Sequence, residues 1–158
     1  MRKCGYKITM KITKKQKSGY FGIGIYHPKT ETNIGTLWRS AYNFGADFIF
    51  VIGKRYKNQC SDTTKADRHI PLYEYEKIED LKNNLPRHCE IIYIEQSSKS
   101  TDIKTFKHPK QCIYVLGAED NGIPESIMKD DKQVHINTPM CLNVAVAGSI
   151  IMFDRLNK

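Results

Sequence analysis

Long apolar runs are missing from this 158-residue chain. A membrane-spanning helix needs ~20 consecutive apolar residues. The most apolar stretch, Val144–Phe153, covers ten. Metal-binding spacings are missing too. The five cysteines (Cys4, Cys60, Cys89, Cys112 and Cys141) are odd in number and include no C-x-x-C, and the five histidines form no H-x-x-x-H or H-E-x-x-H. That excludes the usual zinc patterns and a paired disulfide framework, so reduced thiols and no metal are expected. Acidic residues are absent from the first 30 positions, which hold eight bases (Arg2, Lys3, Lys7, Lys11, Lys14, Lys15, Lys17 and Lys29). No apolar signal core follows this basic arm, residues 1–18, and it lacks the Arg- and Ser-rich character of a transit peptide. A cytoplasmic protein without membrane contact is therefore expected. A dinucleotide fingerprint is also lacking. Gly19, Gly22 and Gly24 lie at or inside an apolar run rather than after it, where close backbone packing is the expected use.

What the chain has in excess is positive charge, +8 net with a pI near 9.2. Such an excess suits a polyanion such as nucleic acid, or simply a lysine-rich solvated surface. The segment Lys54–Pro71 is long and polar. Lys54, Arg55, Lys57, Lys65 and Arg68, with Tyr56 among them, suit an RNA backbone and a stacked base; the alternative is a solvated loop.

The rest reads as one domain, residues 1–158, in which strands alternate with helices. Tyr20–Tyr26, Asp47–Gly53, Glu90–Glu95, Cys112–Leu116 and Gln133–Ile136 read as strands. Their apolar runs are continuous, as in parallel strands covered on both faces. Helices are predicted over Asn33–Asn43, with Thr32 or Asn33 as N-cap and Leu37, Ala41 and Phe44 facing inward. Others are predicted over Tyr73–Leu81, from Pro124 through Met128, and over Leu142–Leu156, with one helical turn at Asp102–Phe106. The fold class is α/β, a mostly parallel sheet flanked by helices. In such sheets ligands bind beyond the carboxyl ends of the strands. A helix as apolar as Val144–Phe153 must be covered by a core or a subunit interface.

Three segments carry a pattern of polar residues and glycines. They are Asn33-Ile34-Gly35-Thr36-Leu37-Trp38-Arg39-Ser40-Ala41, then Leu116-Gly117-Ala118-Glu119-Asp120-Asn121-Gly122-Ile123, then Ile136 through Ala147. Taken singly, Asn33 and Asn143 read as helix caps, Glu119 as a turn residue and Arg39 as a surface arginine. In order and spacing the three resemble the motifs of the SpoU-type branch of the SPOUT methyltransferases, N-x-G-x-x-x-R-x-A, G-x-E-x-x-G-I, and a proline-bearing turn before S-L-N-V-x-x-A. The likeness runs from about residue 20 to 156. It departs at Cys141, where the motif usually has serine, a stronger hydrogen-bonding group than a thiol.

The resemblance implies methylation of a ribose 2′-hydroxyl in tRNA or rRNA with S-adenosylmethionine as cofactor. It also implies a C-terminal trefoil knot and a homodimer. By resemblance the catalytic set is Arg39, Asn33, Glu119 and Asn143. The cofactor set is Ile94, Glu95, Gln96, Leu116, Gly117, Ile136, Cys141 and Leu142. Arginine keeps its proton, so Arg39 is expected to stabilise a developing alkoxide and clamp the adjacent phosphate rather than act as a base. The lack of a large extension resembles the minimal tRNA-directed members, including wobble-ribose methylases. A non-catalytic RNA-binding module and a base-methylating relative are the rival readings.

Overall fold

The computed structural model describes residues 19–57 and 69–158. The basic arm, Lys65, Arg68, Cys4 and Cys60 lie outside them. In chain order the elements are β1 (Tyr20–Tyr26), α1 (Glu31–Phe44), β2 (Phe48–Ile52), β3 (Leu72–Tyr75), α2 (Ile78–Asn83) and β4 (Glu90–Ile94). They continue with β5 (Thr101–Asp102), β6 (Gln111–Gly117), α3 (Glu125–Met128), β7 (Lys132–His135) and α4 (Val144–Asn157).

The strands form one sheet in the order β3-β2-β1-β6-β4-β7-β5. Every pairing between them is parallel. All carboxyl ends therefore meet at one edge, and the loops after β1, β4, β6 and β7 share it.

The continuous apolar strands serve two cores, because successive side chains point to opposite faces. Ile23, Ile25, Val51, Ile92, Tyr114 and Leu116 pack toward α1 and α4. Phe50, Ile52, Tyr93, Ile113 and Val115 pack with α2 and α3 on the other face. On that second face β1 has glycines. A Cβ at Gly22 would clash with Cζ of the Phe48 ring, and one at Gly24 would meet Phe50. Bulk missing from one strand is supplied by its neighbour.

α1 starts two residues earlier than the sequence suggests. Thr30 is the N-cap, so Asn33 lies in the first turn, with its side chain free for other partners. Ile34, Leu37 and Ala41 face the core, Phe44 packs against it, and Gly45 ends the helix at φ 93°.

One other local expectation is corrected, and the turn expected at Asp102–Phe106 forms with a short strand leading into it. Tyr73–Leu81 is not a helix: Leu72–Tyr75 is an edge strand on β2 and helix begins only at Ile78. The short strand, Thr101–Asp102, pairs with β7.

α4 does not stay beside β7. It packs on α1 and over β6 and β1, two and three strands back. At Gly148 a Cβ would lie 2.5 Å from Leu37 Cδ1, 3.0 Å from Leu116 Cδ1 and 3.3 Å from Ile23 Cδ1. One face, including Val144, Ala145, Ile151 and Met152, is buried, while Val146, Phe153 and Leu156 are exposed. The end of α4 is pinned by buried Arg155. Its Nη1 donates to Pro109 O (2.7 Å) and the Tyr114 hydroxyl (3.0 Å), and the guanidinium lies 4.8 Å from the Phe21 ring centroid.

Among the described residues no helix is long and apolar enough to cross a membrane. None of their His, Cys, Asp and Glu side chains are grouped to hold a metal ion.

Candidate active site

The three sequence segments converge at the carboxyl edge of the sheet. Asn33 Nδ2 donates to Glu119 Oε1 at 2.7 Å. Asn143 Nδ2 donates to Asn33 Oδ1 and to Glu119 Oε1, both at 3.0 Å. Each residue comes from a different element: the first turn of α1, the loop after β6, and the residue before α4. Asn143 also caps α4, its Oδ1 accepting from Ala145 N (2.9 Å) and Val146 N (3.3 Å). Its cap role and its place in the cluster use opposite ends of one amide.

The loop that bears Glu119 is a tight turn. Gly122 N donates to Ala118 O at 2.9 Å, with Gly122 at φ 59°, a conformation costly for residues with a Cβ. Two side chains hold it. Glu95 Oε2, from the end of β4, accepts from Ile123 N at 3.1 Å. On the other flank Arg55 donates to Asp120 through Nη1 (3.0 Å) and Nη2 (2.7 Å), and through Nε to His27 O (2.9 Å). Hydrogen bonding from Arg55 holds the Asp120 carboxyl down at about 2.

Beside this cluster lies a pocket of about 200 Å³. All eight residues of the expected cofactor set line it: Ile94, Glu95 and Gln96 from the end of β4, Leu116 and Gly117 from β6, and Ile136, Cys141 and Leu142 between β7 and α4. Its lining adds Glu119 of the expected catalytic set, together with Ala118, Gly122, His135, Thr138, Val144 and Ala147, which are in neither expected set. The glycine spacing of the second segment was the available signal for Gly122. The lining mixes apolar residues such as Ile94, Leu116, Ile136 and Val144 with the polar Glu95, Gln96, Glu119, His135 and Thr138. That character fits a nucleoside bearing a thioether or sulfonium chain.

A model of the SpoU rRNA Methylase family matches residues 21–153. The chain belongs to this family. A mouse (Mus musculus) relative, tRNA (guanosine(18)-2'-O)-methyltransferase TARBP1, is 28% identical over 138 residues, which are 78% of this chain and 8% of that protein. The chain thus corresponds to a small part of that relative. A structure described as giving insight into the 2-OH methylation of C/U34 on tRNA superposes with a TM-score of 0.75 at 18% identity, over 87% of this chain and 95% of that one. The SpoU methyltransferase AviRb from Streptomyces viridochromogenes, in complex with the cofactor AdoMet, gives 0.73 at 17% identity, over 87% of this chain and 57% of that one. Identities this low establish the shared SpoU fold.

The other expected site residues are placed differently in this SpoU chain. Arg39 is exposed on the middle of α1, away from the Asn33–Glu119–Asn143 contacts, and makes no hydrogen bond or ion pair to a described residue. Of the expected RNA-binding bases, Lys54 pairs with Glu74 at 2.6 Å, Arg55 is committed to Asp120, and Lys57 is exposed. Cys141 is exposed at the pocket.

Proposed function

We propose that this chain transfers a methyl group from S-adenosylmethionine to a ribose 2′-hydroxyl of tRNA or rRNA, as a cytoplasmic homodimer. The observation that carries this is the hydrogen-bonded cluster of Asn33, Glu119 and Asn143 beside the pocket between β4, β6 and α4, in a chain of the SpoU family. The bound cofactor supplies an electrophilic methyl group. The backbone at Leu116, Gly117 and Ile136 holds its adenine. Ile94, Gln96, Cys141 and Leu142 close the walls. Asn33, Glu119 and Asn143 fix the geometry of the loops between cofactor and ribose. Alignment of this kind supplies up to ~7–11 kcal/mol in ideal cases. Arg39 would stabilise the developing alkoxide and hold the neighbouring phosphate, with no proton transfer of its own, while the hydroxyl proton leaves to water.

The homodimer reading rests on α4. Val146, Ser149, Ile150 and Phe153 line an apolar groove with Thr36 and Phe44 of α1. Arg39 lies one turn beyond Thr36, so a second copy seated on this groove borders Arg39. The knot reading rests on the path of the chain: α4 lies two and three strands back from β7, with Asn143 hydrogen-bonded into the loop after β6. We assign that return path as a trefoil knot. Lys57, Lys65, Arg68 and the arm supply phosphate contacts, with smaller shares from Lys54 and Arg55. The tRNA reading is favoured by the neighbour described in terms of C/U34 methylation on tRNA, which is matched over 95% of its length.

The test is incubation with methyl-labelled cofactor and total tRNA and rRNA, followed by mapping. Label at an alkali-resistant linkage supports the proposal. Label on a base, or none, refutes it.

A further inference from the structure

Glu95 is a half-buried carboxylate on the wall of the pocket. No lysine, arginine or histidine pairs with it among the described residues. Its Oε2 accepts from Ile123 N at 3.1 Å, and among the described residues its Oε1 meets only the adjacent Gln96 N, at 3.2 Å. An ionised carboxylate has about four lone-pair sites, so two such contacts leave acceptor capacity unused. A carboxylate drawn out of water without a cation calls for further donors.

The surroundings are cut to fit this group. A Cβ at Gly117 would lie 2.7 Å from Glu95 Oε2, and one at Gly122 would lie 2.8 Å from it. Both glycines of the second sequence segment therefore leave room for one carboxylate. Both also line the pocket, so Glu95 sits where a ligand passes the Gly117 backbone. Leu116, Ile136, Leu142 and Val144 supply an apolar part of the lining. Glu95 supplies acceptors. In a nucleoside, a vicinal diol presents two O–H donors side by side, which matches a carboxylate edge.

We propose that Glu95 recognises the ribose of the cofactor nucleoside, its carboxylate accepting hydrogen bonds from the 2′- and 3′-hydroxyls. This rests on the cofactor reading above. The same carboxylate holds Ile123 N, so ribose recognition and the placement of the Glu119 loop are mechanically joined. Cofactor binding then stiffens the loop that carries Glu119.

The experiment is calorimetry with S-adenosylhomocysteine and its 2′-deoxy, 3′-deoxy and 6-deamino analogues, on wild type and Glu95→Gln. Removing either hydroxyl should weaken wild-type binding by about tenfold or more, as for loss of a hydrogen bond to a charged group. Glu95→Gln should bind the parent less tightly and distinguish the deoxy analogues by about twofold or less. The 6-deamino analogue should lose affinity equally in both proteins. A thermal melt of Glu95→Gln checks the fold, and the wild-type comparison stands without it. Deoxy analogues binding wild type as tightly as the parent would overturn the proposal alone. So would a variant that weakens every ligand equally, which is the signature of a purely structural Glu95. Wild type that binds no S-adenosylhomocysteine would overturn the cofactor reading and this inference together.

Discussion

The Arg55 guanidinium faces the Asp120 carboxylate edge to edge, with hydrogen bonds of 3.0 and 2.7 Å. This ties the chain just after β2 to the loop that carries Glu119, the residue before Asp120. Arg55 was expected to meet RNA phosphate, and here it has an internal partner. Lysine cannot reproduce the planar fork. Arg55→Lys should therefore slow methyl transfer roughly two- to fivefold, the modest effect of an exposed pair. The salt dependence of RNA binding should barely change, because the charge is kept. Parallel filter-binding salt titrations and single-turnover assays check this. A much shallower salt slope would make Arg55 a principal RNA contact rather than a minor one.

Asn143 separates two roles that share one side chain. Asn143→Ala removes the cap of α4 and both bonds into the cluster. It should cost about 1 kcal/mol of stability, as for loss of an N-cap, and most of the activity. Asn143→Asp keeps an acceptor for Ala145 N and Val146 N and suits a helix N-terminus. It should restore the melting temperature. It also sets a second carboxylate against Glu119 Oε1, where the amide now donates at 3.0 Å, so activity should stay low. Recovery of turnover with Asn143→Asp would mean that the cap alone matters.

The four long, continuously apolar strands were legible in the sequence because burial on both faces leaves one kind of residue at every position. Leu72–Tyr75 was not. It is an edge strand with Tyr73 and Glu74 exposed, too short to show a period, and only pairing with β2 makes it a strand. At the site, Asn33 and Asn143 read singly as caps. Asn143 is one, and Thr30 rather than Asn33 starts α1. Their convergence on Glu119 spans 86 and 24 residues of sequence, which no local pattern encodes; the family motif carried it. The Arg55–Asp120 pair and the Glu95 cradle were invisible for the same reason. Arg155 left a signal that was passed over: a lone arginine near the end of an apolar helix, nearly always buried only with partners.

His108 should make stability fall in mild acid. Its side chain is 5% exposed. Nε2 contacts Asp154 Oδ2 at 2.8 Å, and Nδ1 contacts the Tyr114 hydroxyl at 2.6 Å. Burial pushes its pKa down, Asp154 opposes this, and Arg155 and Lys158 add to the lowering. The unfolded chain then holds a proton that the folded one resists. Stability is full above the unfolded value of 6.5 and falls as pH drops through it toward the lower folded value. The slope from this group is at most about 1.4 kcal/mol per pH unit. Denaturant melts between about pH 7.5 and pH 5 should show the fall in wild type and a shallower one in His108→Gln. Equal slopes would remove His108 as the cause.

The exposed stripe of α4 predicts the oligomer. Phe153 is 58% exposed and Val146 47%, with Phe44 of α1 edge-on to Phe153 at 6.3 Å. An obligate dimer buries on the order of 2,000 Å² or more, largely apolar. Light scattering should give twice the mass of the 18.2 kDa chain at micromolar concentration. Phe153→Glu should yield a folded monomer, since this side chain lies largely outside the core of its own chain. A wild-type monomer, or a dimer unchanged by Phe153→Glu, would place the interface elsewhere.

Arg39 is the sharpest test of how labour is divided. It stands exposed on α1, outside the Asn33–Glu119–Asn143 contacts and outside the pocket lining. Removing it breaks no described hydrogen bond, so folding, dimerisation and S-adenosylhomocysteine affinity should all survive Arg39→Lys. What lysine lacks is the planar pair of donors that can hold a phosphate and an oxygen at once. If Arg39 acts only when the ribose oxygen gains charge, turnover falls by orders of magnitude while cofactor binding stays level, the pattern of a lost transition-state contact. Single-turnover transfer beside cofactor titration on the same protein gives both numbers. Near-wild-type transfer by Arg39→Lys would reduce its role to charge. Lost cofactor affinity would instead mean that Arg39 turns into the pocket once RNA or a second copy is in place, and the roles of α1 and the two loops would exchange.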